Sequence, residues 1–491
     1  MKLSSRLFKG TLLLAAGEAV AQISSLATNI ILARLLTRSD FGTASLLAMN
    51  VSIFELGGRL ALENYLIQSE HGADERYLRV VHSFHAGFGV LSAVALAMSA
   101  PYVAAFFKAP DVEWALRVVA VVPLLKGLVH LEPAVAIKEF RYGRSVAIDA
   151  APQLMAAVLA WPLAMVWPTY GALALLLVLK QVVATTASHC LARSTYRLGV
   201  DRAISARLLA FGGPMLASSL LMMLIFHGDR FAIGVRYSVS ELGVYAVAGA
   251  MTLMPAAALH KLSGALLLPA MAGAKADHSH FVRRVGAAAE VLSLFSAAYA
   301  VVMVMSGPVL ATTIFGSRYS DSGVLISVLG IAQALRLLRA IPTVSAMAQG
   351  DSESLMTANA IRAASVVLAF CLAWWGASLS GIAAAAVVGE CLALAGATWR
   401  FTRVHRVPLQ DFVRPVLAAL ISIVTASVLG GSEFARASFA AGAVLTVACL
   451  AVLAGAFWFW FPNTRKLTDC AGAVWPSGVA RGARIWRFGR S

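Results

Sequence analysis

The chain has 491 residues, 59% of them hydrophobic and only 13% charged, and its mean hydropathy is +0.78. Soluble domains carry about 25% charged residues, so a water-soluble protein folded around one core is excluded. The net charge of +16 would point to nucleic acid in a soluble chain; here the basic residues lie mainly between apolar runs, which assigns them to membrane topology and leaves no nucleic-acid partner.

Apolar runs close to 20 residues recur, the length that crosses about 30 Å of hydrocarbon. The alternating segments of about 10 residues that a membrane barrel needs are not seen. The expected fold is therefore all-α and polytopic. Fourteen spans are expected near 11–36, 41–68, 79–107, 113–137, 146–167, 170–192, 207–235, 241–271, 283–314, 323–348, 354–376, 380–402, 411–430 and 436–461. At the start, Lys2, Arg6 and Lys9 precede an apolar run, and Ala19-Val20-Ala21 resembles a signal-peptidase site. Glu18 interrupts that run and the apolar pattern continues beyond it, so an uncleaved first helix is the preferred reading.

The expected organisation is a six-helix lobe over 1–200, a second over 201–405, an added helix pair over 406–462 and a basic cytoplasmic tail over 463–491. With the N-terminus in the cytoplasm, Lys138, Arg141, Arg144, Arg193, Arg197, Arg283, Arg284, Arg400 and Arg403 all fall inside. About 25 basic residues then lie inside against about 6 outside, a strong positive-inside bias. The outer connections, such as "TRSD" and "RYSVSE", leave no room for an extracytoplasmic domain. The tail carries Arg481, Arg484, Arg487, Arg490, Trp475 and Trp486. A disordered topology determinant is preferred there over a segment lying on anionic headgroups.

Enzyme motifs are absent: no P-loop, no HExxH and no GxSxG. His82 with His85 and His278 with His280 lack a neighbouring Cys or carboxylate constellation, so no metal site is expected and water-interface positions are. Cys190, Cys371, Cys391, Cys449 and Cys470 are odd in number and without CxxC spacing; they read as small core residues.

One polar hinge is written twice. Ser39-Asp40-Phe41-Gly42 and Ser240-Glu241-Leu242-Gly243 share the form Ser, acid, large apolar, Gly. Aligning them lays the first two spans over spans seven and eight, an even offset that makes the two halves parallel in the membrane, as in transporters with a path between two similar lobes. Ser, Asp and Glu suit a helix N-terminus, and Gly permits close approach of another backbone.

Ionisable groups within spans are costly in lipid and usually face a cavity. Glu55 and Arg59 share a face of span two, and Arg336 and Arg339 share a face of span ten. Glu18, Lys261 and Glu390 lie deep in their spans, whereas Lys126, Asp149, Lys180, Glu290 and Arg362 read as interfacial, snorkelling groups. Asp229-Arg230 sits near the outer end of span seven.

At this point the chain resembles the Wzx-type polysaccharide-export flippases of the multidrug/oligosaccharidyl-lipid/polysaccharide exporter superfamily. The residues that carry the likeness are "ILARLLTRSDFG" (31–42), "LENYLIQ" (62–68), the run 100–128, "KEFRYGRSVAID" (138–149) and the block from Asp229 to Pro255. It extends to about residue 350.

The resemblance implies two pseudo-symmetric six-helix lobes around a central cavity, alternately open to each side, in the bacterial inner membrane. The implied cargo is an undecaprenyl-pyrophosphate-linked oligosaccharide for exopolysaccharide, capsule or O-antigen. Implied partners are membrane lipid and the polymerase and export proteins of that pathway. No cofactor is implied beyond coupling to protons or sodium ions.

Arg59, Lys261, Arg336 and Arg339 are the expected cationic contacts, since Arg binds phosphate through paired hydrogen bonds. Glu18, Glu55 and Glu390 are the expected coupling carboxylates. Asp40, Gly42, Asp229, Arg230, Glu241 and Gly243 are the expected structural motif. Glu18 stands where lipid II flippases carry arginines, which argues against lipid II as cargo. Two other readings stay open: a membrane glycosyltransferase or polymerase, which would need a large extracytoplasmic or carboxylate-rich loop, and a drug or cation exporter, which would need an acidic, aromatic pocket.

Overall fold

The structure, a computed structural model, describes residues 2–55, 62, 66, 74–136, 142–275, 277–351, 353–430 and 439–461. Arg59, the side chain of Glu55, Cys470 and the basic tail lie outside the described residues.

A first set of helices comprises α1 (Lys2–Leu35), α2 (Arg38–Glu55), α3 (Glu75–Phe106), α4 (Glu113–Val119), α5 (Val121–Gly127), α6 (Glu132–Val135), α7 (Gly143–Val166) and α8 (Tyr170–Leu191). A second comprises α9 (Arg202–Arg236), α10 (Val239–Ala272), α11 (His278–Leu310), α12 (Gly323–Ala348), α13 (Glu353–Trp374) and α14 (Leu379–His405). Then come α15 (Leu409–Gly430) and α16 (Phe439–Trp460), which both pack on α11.

The helices pair in the same way in both sets. In the first, α1 packs on α7, α7 on α8, α3 on α4 and α5, and α5 on α8. In the second, α9 packs on α13, α13 on α14, α11 on α12, and α12 on α14. Large apolar side chains such as Val158, Val166, Trp374 and Val452 point outward, as a lipid-facing surface requires.

The repeated hinges form matching corners. At the start of α2, Asp40 N–H donates to Thr37 Oγ1 (3.0 Å), and the Thr37 hydroxyl donates back to the Asp40 carboxylate. At the start of α10, Glu241 N–H donates to Ser238 Oγ (3.2 Å), and Ser238 N–H and O–H both donate to Glu241 Oε2 (2.9 and 2.8 Å). The second is a capping box and the first a variant in which the cap hydroxyl is the return donor; the caps are Thr37 and Ser238, two residues before the serines that the sequence pattern singled out.

The two corners also touch. A Cβ on Gly42 would lie 1.8 Å from Val239 O, and one on Gly243 would lie 2.3 Å from Arg38 O. Glycine is required at both positions because backbone meets backbone. Around this contact, Arg38 forms a two-point ion pair with Asp321 (2.9 and 3.0 Å), Arg34 Nε donates to Ile314 O (2.7 Å), and Arg318 donates to Leu36 O. The second-set partners belong to a π-helical turn (Ala311–Phe315) and a 3-10 turn (Ser317–Ser322). Gly316, at φ +99°, redirects the chain between them.

Ten helical segments among the described residues are long and apolar enough to cross a membrane, against the fourteen expected spans. The expected span over 113–137 is not one helix. It restarts at Val121, just before Pro123, whose ring nitrogen cannot donate to the preceding turn. It stops again at Leu128. There His130 N–H donates to Ser188 Oγ (2.9 Å) and Leu131 N–H to His82 Nε2 (3.2 Å), so side chains from other helices replace the helical bonds.

That last bond corrects the expectation for the histidines. His82 and His85 are buried rather than at a water interface, and His82 stacks on Tyr196 (4.4 Å between rings). His278 and His280 are exposed. The cysteine reading also needs correction: Cys190, Cys371 and Cys391 are exposed and Cys449 half-buried, so they sit on outward faces of their helices.

Candidate functional site

Charges gather inside the second set. Glu390 on α14, only 2% exposed, accepts from Arg339 Nε on α12 at 2.9 Å and from Arg362 Nε on α13 at 2.7 Å. Arg339 also reaches Asn359 Oδ1 (3.4 Å). One carboxylate thus ties three helices together, and an ionised carboxylate accepts such paired donors well. Ser365 packs under Gly389, where a Cβ would lie 2.4 Å from the Ser365 Cβ, so α13 and α14 cross closely beside the pair.

Next to this triad lies a cavity of about 70 Å³ lined by α9, α10, α12, α13 and α14. Arg336 and Arg362 line it, with Asp229 and Arg230 from α9 and Tyr245 from α10. Tyr245 donates its hydroxyl proton to Asp229 Oδ2 at 2.5 Å. The Arg230 guanidinium lies against Gly249, clamping α9 to α10. The Phe226 ring lies under both remaining guanidiniums, 4.6 Å from Arg336 and 5.3 Å from Arg362. Arg336 Nε and Arg362 Nη1 are buried and without a hydrogen-bond partner among the described residues.

A second group bridges the two sets. Lys261 Nζ on α10 lies 2.5 Å from Glu18 Oε2 on α1, and Gln22 Nε2 donates to Glu18 Oε1 (2.8 Å). At about 1.5 Å per residue, this pair stands about 25–33 Å along α1 and α10 from the corner. Lys261 is 63% exposed, so this bridge faces open space.

The residues singled out in the sequence therefore fall into three places. Asp40, Gly42, Glu241 and Gly243 build the corner; Glu18 and Lys261 meet across the sets; Arg336, Arg339, Glu390, Asp229 and Arg230 collect within the second set. Arg339 is 4% exposed and committed to Glu390 and Asn359. Arg362 and Glu290 are not interfacial: both are buried, and Arg362 is a full member of the charged cluster. Its sequence signal was its register. Arg362 and Glu390 stand at comparable distances on either side of the short turn at 375–378, which places them level on antiparallel neighbours. No group of His, Cys, Asp and Glu among the described residues is arranged to hold a metal ion.

A family model described as polysaccharide biosynthesis protein matches residues 31–324. Comparison with curated proteins gives no match. Among solved structures, lipid II flippase MurJ in an inward closed conformation is similar over 93% of this chain and 100% of its own, at TM-score 0.74 and 10% identity. An inward-facing multidrug resistance MATE family transporter of the MOP superfamily is similar over 83% of this chain and 95% of its own (TM-score 0.63, 13% identity). An outward-facing one is similar over 86% and 96% (TM-score 0.54, 15% identity). At these identities the likeness is one of fold.

Proposed function

The chain belongs to the polysaccharide biosynthesis protein family, and on that premise we propose that it carries a polyprenyl-pyrophosphate-linked oligosaccharide from the inner to the outer leaflet by alternating access. The observation that carries the proposal is the placement of the two inter-set ties. A tight backbone corner closes one end of the space between the sets, and the Glu18–Lys261 pair lies deep along the same space. A polar headgroup crossing lipid needs such a path, lined by groups that can exchange partners.

In this reading the termini and the linker at 192–201 are cytoplasmic and the corner faces outward, because the basic connections lie at the end opposite the corner. Lys261, with Arg59 assigned from sequence, offers cationic contacts to the pyrophosphate. Glu18 and Glu55 are the carboxylates available for coupling to protons or sodium ions. Arg336, Arg339 and Glu390 act from inside one moving body. The polymerase and export proteins of the pathway would take up the delivered repeat unit.

In a strain lacking the gene, lipid-linked repeat units should accumulate in the inner leaflet while surface polymer is lost. Normal polymer with no accumulated intermediate would refute the proposal. Sugar transfer by the purified protein would replace it with an enzymatic role, and altered drug resistance without a polysaccharide phenotype would replace the cargo.

A further inference from the structure

The cavity inside the second set holds more positive charge than its own residues neutralise. The guanidiniums of Arg230, Arg336, Arg339 and Arg362 stand in or beside it, against the carboxylates of Asp229 and Glu390. Glu390 is already shared between Arg339 and Arg362, and Asp229 accepts from Tyr245 and from Arg230 N–H. Arg336 has no carboxylate partner among the described residues; beneath it lies the Phe226 ring, whose face attracts the cation but leaves Nε unbonded. Arg362, 8% exposed, keeps Nη1 unbonded as well.

A guanidinium does not shed its proton in a protein, and an uncompensated charge in a water-poor interior is strongly unfavourable. Counter-charge from outside the chain would offset that excess.

We propose that this cavity binds a small inorganic anion of the chloride class, beside the guanidiniums of Arg336 and Arg362 that line it. The space is suited to it. About 70 Å³ holds a few water-sized bodies, enough for a monatomic anion with residual hydration and too little for a pyrophosphate carrying a sugar. The rest of the wall mixes apolar Ile225, Val366 and Ile382 with polar Thr252, Gln333 and Ser365, and the attraction of an anion to two arginines there is less screened than in bulk water. The site lies within one set of helices. It is thus separate from the inter-set path, and the glycan-transport reading stands or falls without it.

The test uses the full-length purified protein in detergent, with chloride exchanged for gluconate at constant ionic strength and fixed sodium. The melting temperature should rise by several degrees in chloride, and bromide should substitute for it. Arg336→Gln touches no carboxylate pair, so the variant should fold, and it should lose the chloride-dependent shift; Arg336→Lys should restore part of it. Crystals grown in bromide should show an anomalous peak between Arg336 and Arg362. Equal melting in chloride and gluconate would overturn the proposal, as would a chloride shift unchanged in Arg336→Gln or a bromide peak elsewhere.

Discussion

Two ties between the helix sets rest on different physics. At the corner, Gly42 and Gly243 bring two backbones into contact, and Arg34, Arg38 and Arg318 reinforce the junction. Deep on the other side the tie is the Glu18–Lys261 pair, more than half exposed at the lysine. Close backbone packing cannot stretch without breaking, whereas a solvated ion pair contributes about 1 kcal/mol or less. The far end should therefore open readily, and the corner should open only when something outweighs its contacts.

The largest effect belongs to neither end and serves as the reference for both. Glu390→Gln leaves two buried guanidiniums without their carboxylate and should cost about 3–5 kcal/mol of stability. Thermal unfolding should show that loss, while spin labels across the corner keep their spacing. Next comes the corner itself. Gly42→Ala and Gly243→Ala each force a methyl into backbone and should weaken the closed corner by about 1–3 kcal/mol. Because the contacts are reciprocal, the two variants should be nearly equal. Distances between spin labels on α2 and α10 should lengthen in both; unchanged distances would show that the corner is not a gate.

A smaller change is expected at Lys261→Ala, about 0.5 kcal/mol or less in stability, with a clear drop in glycan export at normal protein level. Unimpaired export would remove Lys261 from the path.

The smallest effect is one of pH at Asp351, in the connection between α12 and α13. Burial works to raise its proton affinity, but hydrogen bonds from Ser354 N–H and O–H, with His405 and Arg400 close by, bring it below the ordinary carboxylate value of 3.8. A carboxylate held below its unfolded value stabilises fully above that value and stops doing so as pH falls through the folded one. Melting should be flat above about pH 5 and fall below about pH 4. In Asp351→Asn that acid-side fall should be shallower, by on the order of 1 kcal/mol or less.

Much of the fold could be read from hydropathy because lipid imposes one rule on every span: apolar outside and backbone bonds closed within the helix. The reading failed where other helices supplied the bonds. The break at Leu128–Leu131 depends on Ser188 and His82, far away in sequence, so a continuous span was expected there. The site was partly legible. Arg336, Arg339 and Glu390 stood out as charges in apolar runs, but Arg362 was misread because its identity as a buried group depends on Glu390 across a turn. The cysteines were misread for the converse reason: in a membrane the outside of a helix is also apolar, so an apolar neighbourhood does not imply a core.

The glycine corner has one more consequence. Gly42 meets Val239 while Gly243 meets Arg38, and the two hinges align Gly42 with Gly243 and Arg38 with Val239. The same contact is thus made twice with the two halves exchanged, the rule of a self-complementary two-fold interface. The two halves meet as identical subunits of a homodimer would, about an axis that passes through this contact. Arg38 facing Asp321, where the other half has Val239, is a departure from that symmetry.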